Sequence, residues 1–305
     1  MTRFPYQLIA TDLDGTLVRS DHTVSARSTA ALAAAVSAGA RHVVVTGRVA
    51  QLARTTLTEI GYRGLAVCGQ GGQLYDAGRD ALVSSVPLDR ELAAHVVTRV
   101  EARTGPLSVA VMPLELADPI LVGPGFPVPP MASTGIERVH DTARLWDRPI
   151  GKVQIQHPHL TDDQLTEAAR EAVGDLVTVV MAGPTCVELL PLGLSKATGL
   201  ALAAEALGVT AEGTIAFGDM PNDIPMFAWA GHSVAMANAH DSLKAVADEI
   251  TAGNDEDGVA AVLERHLLPL TGTVRGGDVP ATRGVPVPAG LLDPPGKEQQ
   301  HHVEV

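Results

Sequence analysis

The sequence predicts an α/β protein, a doubly wound parallel-sheet (Rossmann-like) core carrying an inserted α+β domain. Short apolar, β-branched runs alternate with Ala- and Leu-rich helical stretches in two separate parts of the chain, the pattern of βαβ units. Residues able to carry chemistry fall just after those runs, at the edge where open parallel sheets bind ligands. Between the two alternating parts, residues 82–187 have a different grain.

In chain order, a strand is expected near 7–11, a helix near 25–38, a strand at 42–45, a helix near 48–60 and a strand at 65–68. The pattern resumes with a helix at 196–207, a strand at 215–218, a helix at 222–230 and a strand at 233–236. The intervening segment offers strands at 82–86, 107–112, 152–156 and 176–181 and helices near 89–103 and 161–173. Prolines at 124, 127, 129 and 130 make a loop of the stretch 122–130. The expected division is a core of 1–81 and 188–268, an inserted domain of 82–187, and a tail of 269–305. Too few residues separate Thr16 from the first helix for a folded insertion there. The tail holds six prolines and six glycines in 37 residues without an apolar period, so it is expected to stay disordered.

At 46% hydrophobic and 19% charged residues the chain has an ordinary globular composition. Its 3% aromatic content leaves the cores to Ala, Val and Leu. A net charge of −13 with no basic stretch argues against nucleic acid as a partner, whereas a small phosphate ester needs only a few local cations. No apolar run approaches the length of a bilayer span, and no charged-then-apolar leader opens the chain. A cytoplasmic protein, monomeric or weakly dimeric and without membrane contact, is the expectation. Cys68 and Cys186 form no CxxC pair, so neither a zinc site nor a disulfide framework is indicated.

The chemistry concentrates in four places. Asp12 and Asp14 follow the first strand, with Gly15 permitting a turn; such a pair can supply a nucleophile and a proton donor. Thr46, Gly47 and Arg48 end the second strand before a helix, a ready phosphate site. Lys196 opens a later helix, and lysine is scarce here, four against eighteen arginines. Asp219, Asn222 and Asp223 follow another strand; carboxylates beside an amide suit a hard, oxygen-liganded cation such as Mg²⁺. Taken singly, each has a plainer explanation: a solvated turn, a helix cap, a surface lysine, caps around Pro221. Their order, each at a strand or helix boundary, favours a joint site.

These segments resemble the motifs of the haloacid dehalogenase-like superfamily, and within it the Cof-type (IIB) branch. Asp12-Leu13-Asp14-Gly15-Thr16-Leu17 matches its first motif and Val45-Thr46-Gly47-Arg48 its second. Glu188-Leu189-Leu190-Pro191 through Ser195-Lys196 resembles the lead-in to the third, and Gly218-Asp219-Met220-Pro221-Asn222-Asp223 matches the fourth. The resemblance implies a C2-type cap between motifs two and three and a Mg²⁺-dependent phosphatase acting on a small phosphomonoester, a sugar phosphate or similar metabolite, through an aspartyl-phosphate. Asp12 would be the nucleophile and Asp14 the acid and base. Thr46, Gly47, Lys196 and Asn222 would hold phosphate. Asp12, the Asp14 carbonyl, Asp219 and Asp223 would hold the metal, and Arg48 and Gln70 would meet the substrate. Gln70-Gly71-Gly72 departs from the branch's Asn-Gly-Ala turn and places Gln70 at the crevice rim. A phosphomutase or phosphotransferase remains compatible with the same motifs; a non-catalytic phosphoacceptor or sensor domain fits them less well.

Overall fold

The computed structural model describes residues 4–128, 135–183 and 185–267. In chain order the elements begin with β1 (Leu8–Thr11), α1 (Ala26–Ser37), β2 (Arg41–Val45), α2 (Ala50–Glu59), β3 (Leu65–Cys68), β4 (Gln73–Asp76) and β5 (Ala81–Ser85). Next come α3 (Arg90–Thr104), β6 (Ser108–Pro113), β7 (Ile120–Val122), β8 (Ile136–Arg138) and β9 (Ile150–Gln156). The chain continues with α4 (Asp162–Val173), β10 (Thr178–Gly183) and β11 (Cys186–Leu190). The last described elements are α5 (Lys196–Leu207), β12 (Thr214–Gly218), α6 (Ile224–Trp229), β13 (His232–Ala235), α7 (Asp241–Lys244), β14 (Glu249–Ile250) and α8 (Gly258–Leu267).

Eight strands form one sheet in the order β14-β13-β12-β1-β2-β3-β4-β5. Its strands from β14 to β3 are parallel, and β4 and β5 extend it antiparallel. The chain starts at β1, winds outward through β2 and β3, and later returns on the other side of β1 with β12. The topological switch point, where such sheets open a crevice, therefore lies between β1 and β12. Both strands are buried along their whole length, as expected where helices cover both faces of a parallel sheet. Ile9, Val43, Val44, Ala216, Phe217 and Val234 fill the centre of this core.

A second sheet, β10-β11-β9-β6-β7-β8, packs its apolar face on α3 and α4 through Val96, Val100, Val153, Ile155, Leu165 and Ala169. A smaller apolar cluster joins the two layers: Val49 and Leu52, at the start of α2, meet Ala110, Met112, Ile120, Val122 and Phe126.

The helix starts follow from side-chain chemistry. The Ser25 hydroxyl accepts from the Ser28 N–H to open α1 (2.9 Å). Thr161 with Gln164, and Ser195 with Thr198, make reciprocal capping boxes at α4 and α5.

Pairing moves two strands across the boundaries expected from sequence. The stretch 82–86, assigned to the insertion, forms β5 and pairs with β4 at the edge of the core sheet. Residues 188–190, assigned to the core, belong to β11, which lies between β9 and β10 in the second sheet. Alternation alone cannot say which sheet a strand joins, because that depends on partners distant in sequence. Cys68 and Cys186 are unpaired thiols. The expected tail, 269–305, lies outside the described residues, and no described helix is long and apolar enough to cross a membrane.

Phe217, fully buried in β12, should be among the costliest truncations. Phe217→Ala is expected to lower the unfolding free energy by about 3–5 kcal/mol, measured by urea denaturation. A loss below about 1 kcal/mol would contradict close packing at the sheet centre.

Candidate active site

The loop after β1 sends its two carboxylates to different environments. The Asp12 N–H still donates to Phe217 of β12 (3.0 Å), which leaves the Asp12 side chain buried at the switch point. The chain then turns, with the Thr16 and Val18 N–H groups both donating to the Leu13 carbonyl (3.2 and 2.8 Å). Gly15 makes this possible twice over. Its φ is +73°, and a Cβ there would strike the Asp219 carboxylate. Asp14 ends with its side chain 52% exposed.

Across the crevice, the end of β12 and the start of α5 complete the acidic centre. Lys196, the first residue of α5, is buried, and its ammonium lies 3.1 Å from Asp12 Oδ1 and 2.7 Å from Asp223 Oδ1. The other Asp223 oxygen accepts from the Asp219 and Met220 N–H groups, each at 3.1 Å. Asp219 accepts from the Thr16 hydroxyl at 2.8 Å. Asn222 donates to Gln70 at 3.0 Å, while its Oδ1 is buried with no partner.

Three carboxylates thus crowd one ammonium. Burial pushes the Asp12 carboxyl well above the usual range, Lys196 opposes this, and Asp223, Asp219 and Asp14 add to it. Burial and the Asp223 charge push Asp219 up to about 7, against the Thr16 hydrogen bond. The Lys196 ammonium is disfavoured by burial, yet Asp12 and Asp223 more than offset that and raise it. Oxygens of Asp12, Asp219 and Asp223 lie within 4.8 Å of one another. An all-oxygen set with excess negative charge fits a hard divalent cation. Both Asp223 oxygens are already engaged, so its place is behind Asp12 and Asp219 or through a water.

Thr46, Gly47 and Arg48 leave β2 at the same edge. The buried Thr46 hydroxyl oxygen accepts from the Arg48 N–H (3.1 Å), which leaves its proton free to donate. Among the described residues, the Gly47 N–H donates to no protein group. A Cβ at Gly47 would come within 2.5 Å of the Gln70 amide nitrogen, so glycine is needed for that close approach.

Two expected substrate contacts are placed differently. Arg48 is turned onto Asp14, with Nε 2.7 Å from Oδ2 and Nη2 paired with Oδ1, and it also donates to Thr56 (2.9 Å). Gln70 is not at a rim. It is 1% exposed, and both ends of its amide are used, on Glu188 (2.8 Å) and Asn222 (3.0 Å). The left-handed backbone at Gln70 (φ 61°) turns the side chain inward, which its residue type does not announce.

Thr16, Asn238, Lys152 and Glu188 also support this edge, although no motif chemistry singles them out in the sequence. Asn238 donates to the Gly15 carbonyl (2.8 Å) and braces the turn. Lys152 pairs with Glu188 and donates to the Gly47 carbonyl (2.6 Å). The scarcity that marked Lys196 marks Lys152 equally, since both are among the four lysines.

A family model for haloacid dehalogenase-like hydrolases matches residues 9–263. The chain belongs to that family. It is 27% identical over 285 residues to the 5-amino-6-(5-phospho-D-ribitylamino)uracil phosphatase YwtE of Bacillus subtilis, covering 85% of this chain and 97% of the relative. It is also 27% identical to the HMP-PP phosphatase of Serratia proteamaculans, over 86% of this chain and 96% of that one. A solved subclass IIB sugar phosphatase of the family shares the fold with a TM-score of 0.71 at 21% identity, over 85% of this chain and 98% of that one. This haloacid dehalogenase-like chain is an enzyme of the phosphoric monoester hydrolase class.

The raised Asp219 gives a signed test. In the metal-free folded chain it keeps a proton up to about pH 7, whereas unfolded it loses one near 4. Stability without a cation therefore falls as pH rises across that window. A cation that binds the ionised form restores it. The gain in Tm on adding MgCl₂ should be larger at pH 8 than at pH 6, and should shrink in Asp219→Asn. Differential scanning fluorimetry reads both, and a gain independent of pH would contradict the assignment.

Proposed function

We propose that this enzyme is a Mg²⁺-dependent phosphatase that hydrolyses a small phosphomonoester, a sugar phosphate or similar metabolite, through an aspartyl-phosphate. The observation that carries the reading is Asp12, buried at the switch point with the Lys196 ammonium 3.1 Å away, next to the exposed carboxyl of Asp14. The named relatives act, by their names, on phosphorylated ribitylaminouracil and on HMP-PP. They support a small organic phosphate as the substrate class.

The chain's own residues supply the steps. An Asp12 oxygen attacks phosphorus in line with the ester oxygen; the P–O bond to the alcohol breaks, and Asp14 delivers a proton to the departing oxygen. Asp14, now a carboxylate, takes a proton from water as that water attacks the aspartyl-phosphate. Inorganic phosphate leaves, and both carboxyls return to their starting forms. The Thr46 hydroxyl and the Gly47 N–H are free donors for phosphoryl oxygens, and Lys196 adds positive charge beside the nucleophile. The Arg48 fork orients Asp14 between its two duties. Asp12 and Asp219, with Asp223 behind them, would hold Mg²⁺, which when bound supplies positive charge against the carboxylates and the transferring phosphoryl group.

Asp12→Asn keeps the shape but removes the nucleophile, so turnover should fall by about 10⁴-fold or more. Phosphate release from a panel of phosphorylated metabolites, with Mg²⁺ and after chelation, checks both this and the metal requirement. Retention of more than a few per cent of activity in Asp12→Asn would exclude the covalent route. Arg48→Gln should lower kcat by roughly tenfold to a hundredfold with a smaller effect on KM, because it frees Asp14 rather than the substrate. A rise in KM alone would return Arg48 to substrate binding.

A further inference from the structure

A run of buried polar contacts joins the second sheet to the phosphate loop. Lys152 on β9 and Glu188 on β11 are diagonal neighbours, since Glu188 stands opposite Gln154. They form an ion pair with both side chains 4% exposed. Lys152 reaches past its partner to donate to the Gly47 carbonyl at 2.6 Å. Glu188 also accepts from the Gln70 amide at 2.8 Å, and Gln70 accepts from Asn222 at 3.0 Å. A buried ion pair often returns less than its desolvation costs, so stability alone explains this one poorly.

What the pair touches points to its role. The Gly47 carbonyl and the Arg48 N–H belong to one planar peptide, so holding the oxygen also orients the N–H. That N–H donates to Thr46 Oγ1 at 3.1 Å and leaves the hydroxyl proton directed elsewhere. The preceding peptide is held by the same assembly, because the Gln70 N–H donates to the Thr46 carbonyl at 3.2 Å. That peptide carries the Gly47 N–H. Glu188 touches both arms, Lys152 on one side and the Gln70 side chain on the other.

We propose that Lys152, held by Glu188, is a positioning residue: through the Gly47–Arg48 peptide it orients the Thr46 hydroxyl as a donor to the phosphoryl group. The second sheet thereby helps shape the phosphate grip and not only the substrate's surroundings. This rests on the phosphatase reading above.

The test is a coupling measurement with p-nitrophenyl phosphate and Mg²⁺, with inorganic phosphate as competing product. Lys152→Met/Glu188→Gln removes both charges together and keeps an acceptor for Gln70, so no lone charge is left buried. Lys152→Arg keeps the pair but moves the donor away from Gly47. Each should lower kcat by about tenfold to a hundredfold, the scale of a misplaced transition-state donor. Each should also weaken inhibition by inorganic phosphate, with Mg²⁺ half-saturation unchanged. In a Thr46→Val background, both should have almost no further effect, because the group they orient is gone. Effects that add to that of Thr46→Val, or a variant with wild-type kcat and phosphate inhibition, would overturn the positioning role alone. A wild-type enzyme inactive on every phosphate ester would overturn the phosphatase reading and this inference with it. If the neutral pair fails to fold, Lys152→Arg decides the matter by the same coupling.

Discussion

The Lys196 ammonium, enclosed between Asp12 and Asp223, is the contact on which this edge of the sheet depends. Burial alone would discharge the lysine, and burial pushes the Asp12 carboxyl up. The acids keep the lysine charged, while Asp12 stays raised because burial and the neighbouring carboxylates outweigh the lysine. The arrangement also works against the positive end of α5, where a cation is ordinarily unwelcome. Two carboxylates at 3.1 and 2.7 Å are what make the position tenable. One ammonium cannot balance Asp12, Asp219 and Asp223 together, and that imbalance is why the centre is suited to a divalent cation.

Backbone closeness brings these groups together, and small residues permit it. Gly15 lets the β1 loop approach Asp219, and Gly47 lets the Gln70 amide lie against the β2 loop. The loop after β1 is then fastened from outside. Asn238 holds the Gly15 carbonyl, Asn254 the Val18 carbonyl at 3.0 Å, and Arg19 pairs with Asp257 at 2.7 Å. The segment leading into α8 thus braces the turn that carries Asp14. All three asparagines of the chain serve this edge, Asn222 inside it and Asn238 and Asn254 behind it.

Much of this was legible in the sequence where local chemistry decides the outcome. The helix expected at 196–207 is α5 residue for residue, because Ser195 caps it and Gly208 ends it in a left-handed turn. The strand at 65–68 is likewise β3. Less was legible at Gln70, where a positive φ reverses the expected direction of the side chain. The same holds for Arg48, which faces Asp14 from 34 residues away. Lys152 sits in a strand of near-alternating pattern and Glu188 in a short apolar one, and neither pattern names the partner across the sheet.

By itself the sequence determined the parallel alternation, the strand-end placement of Asp12, Thr46 and Asp219, the helix start at Lys196 and the family resemblance. Each of these follows from apolar period, capping chemistry or turn residues within a few positions. Only the tertiary structure decided which sheet receives β5 and β11, that Arg48 holds Asp14, and that Gln70 links Asn222 to Glu188. Those outcomes come from contacts between residues far apart in the chain: Gln70 and Glu188 are 118 positions apart, Gln70 and Asn222 152. Such pairs are chosen by the packing of whole elements, and no local periodicity records them.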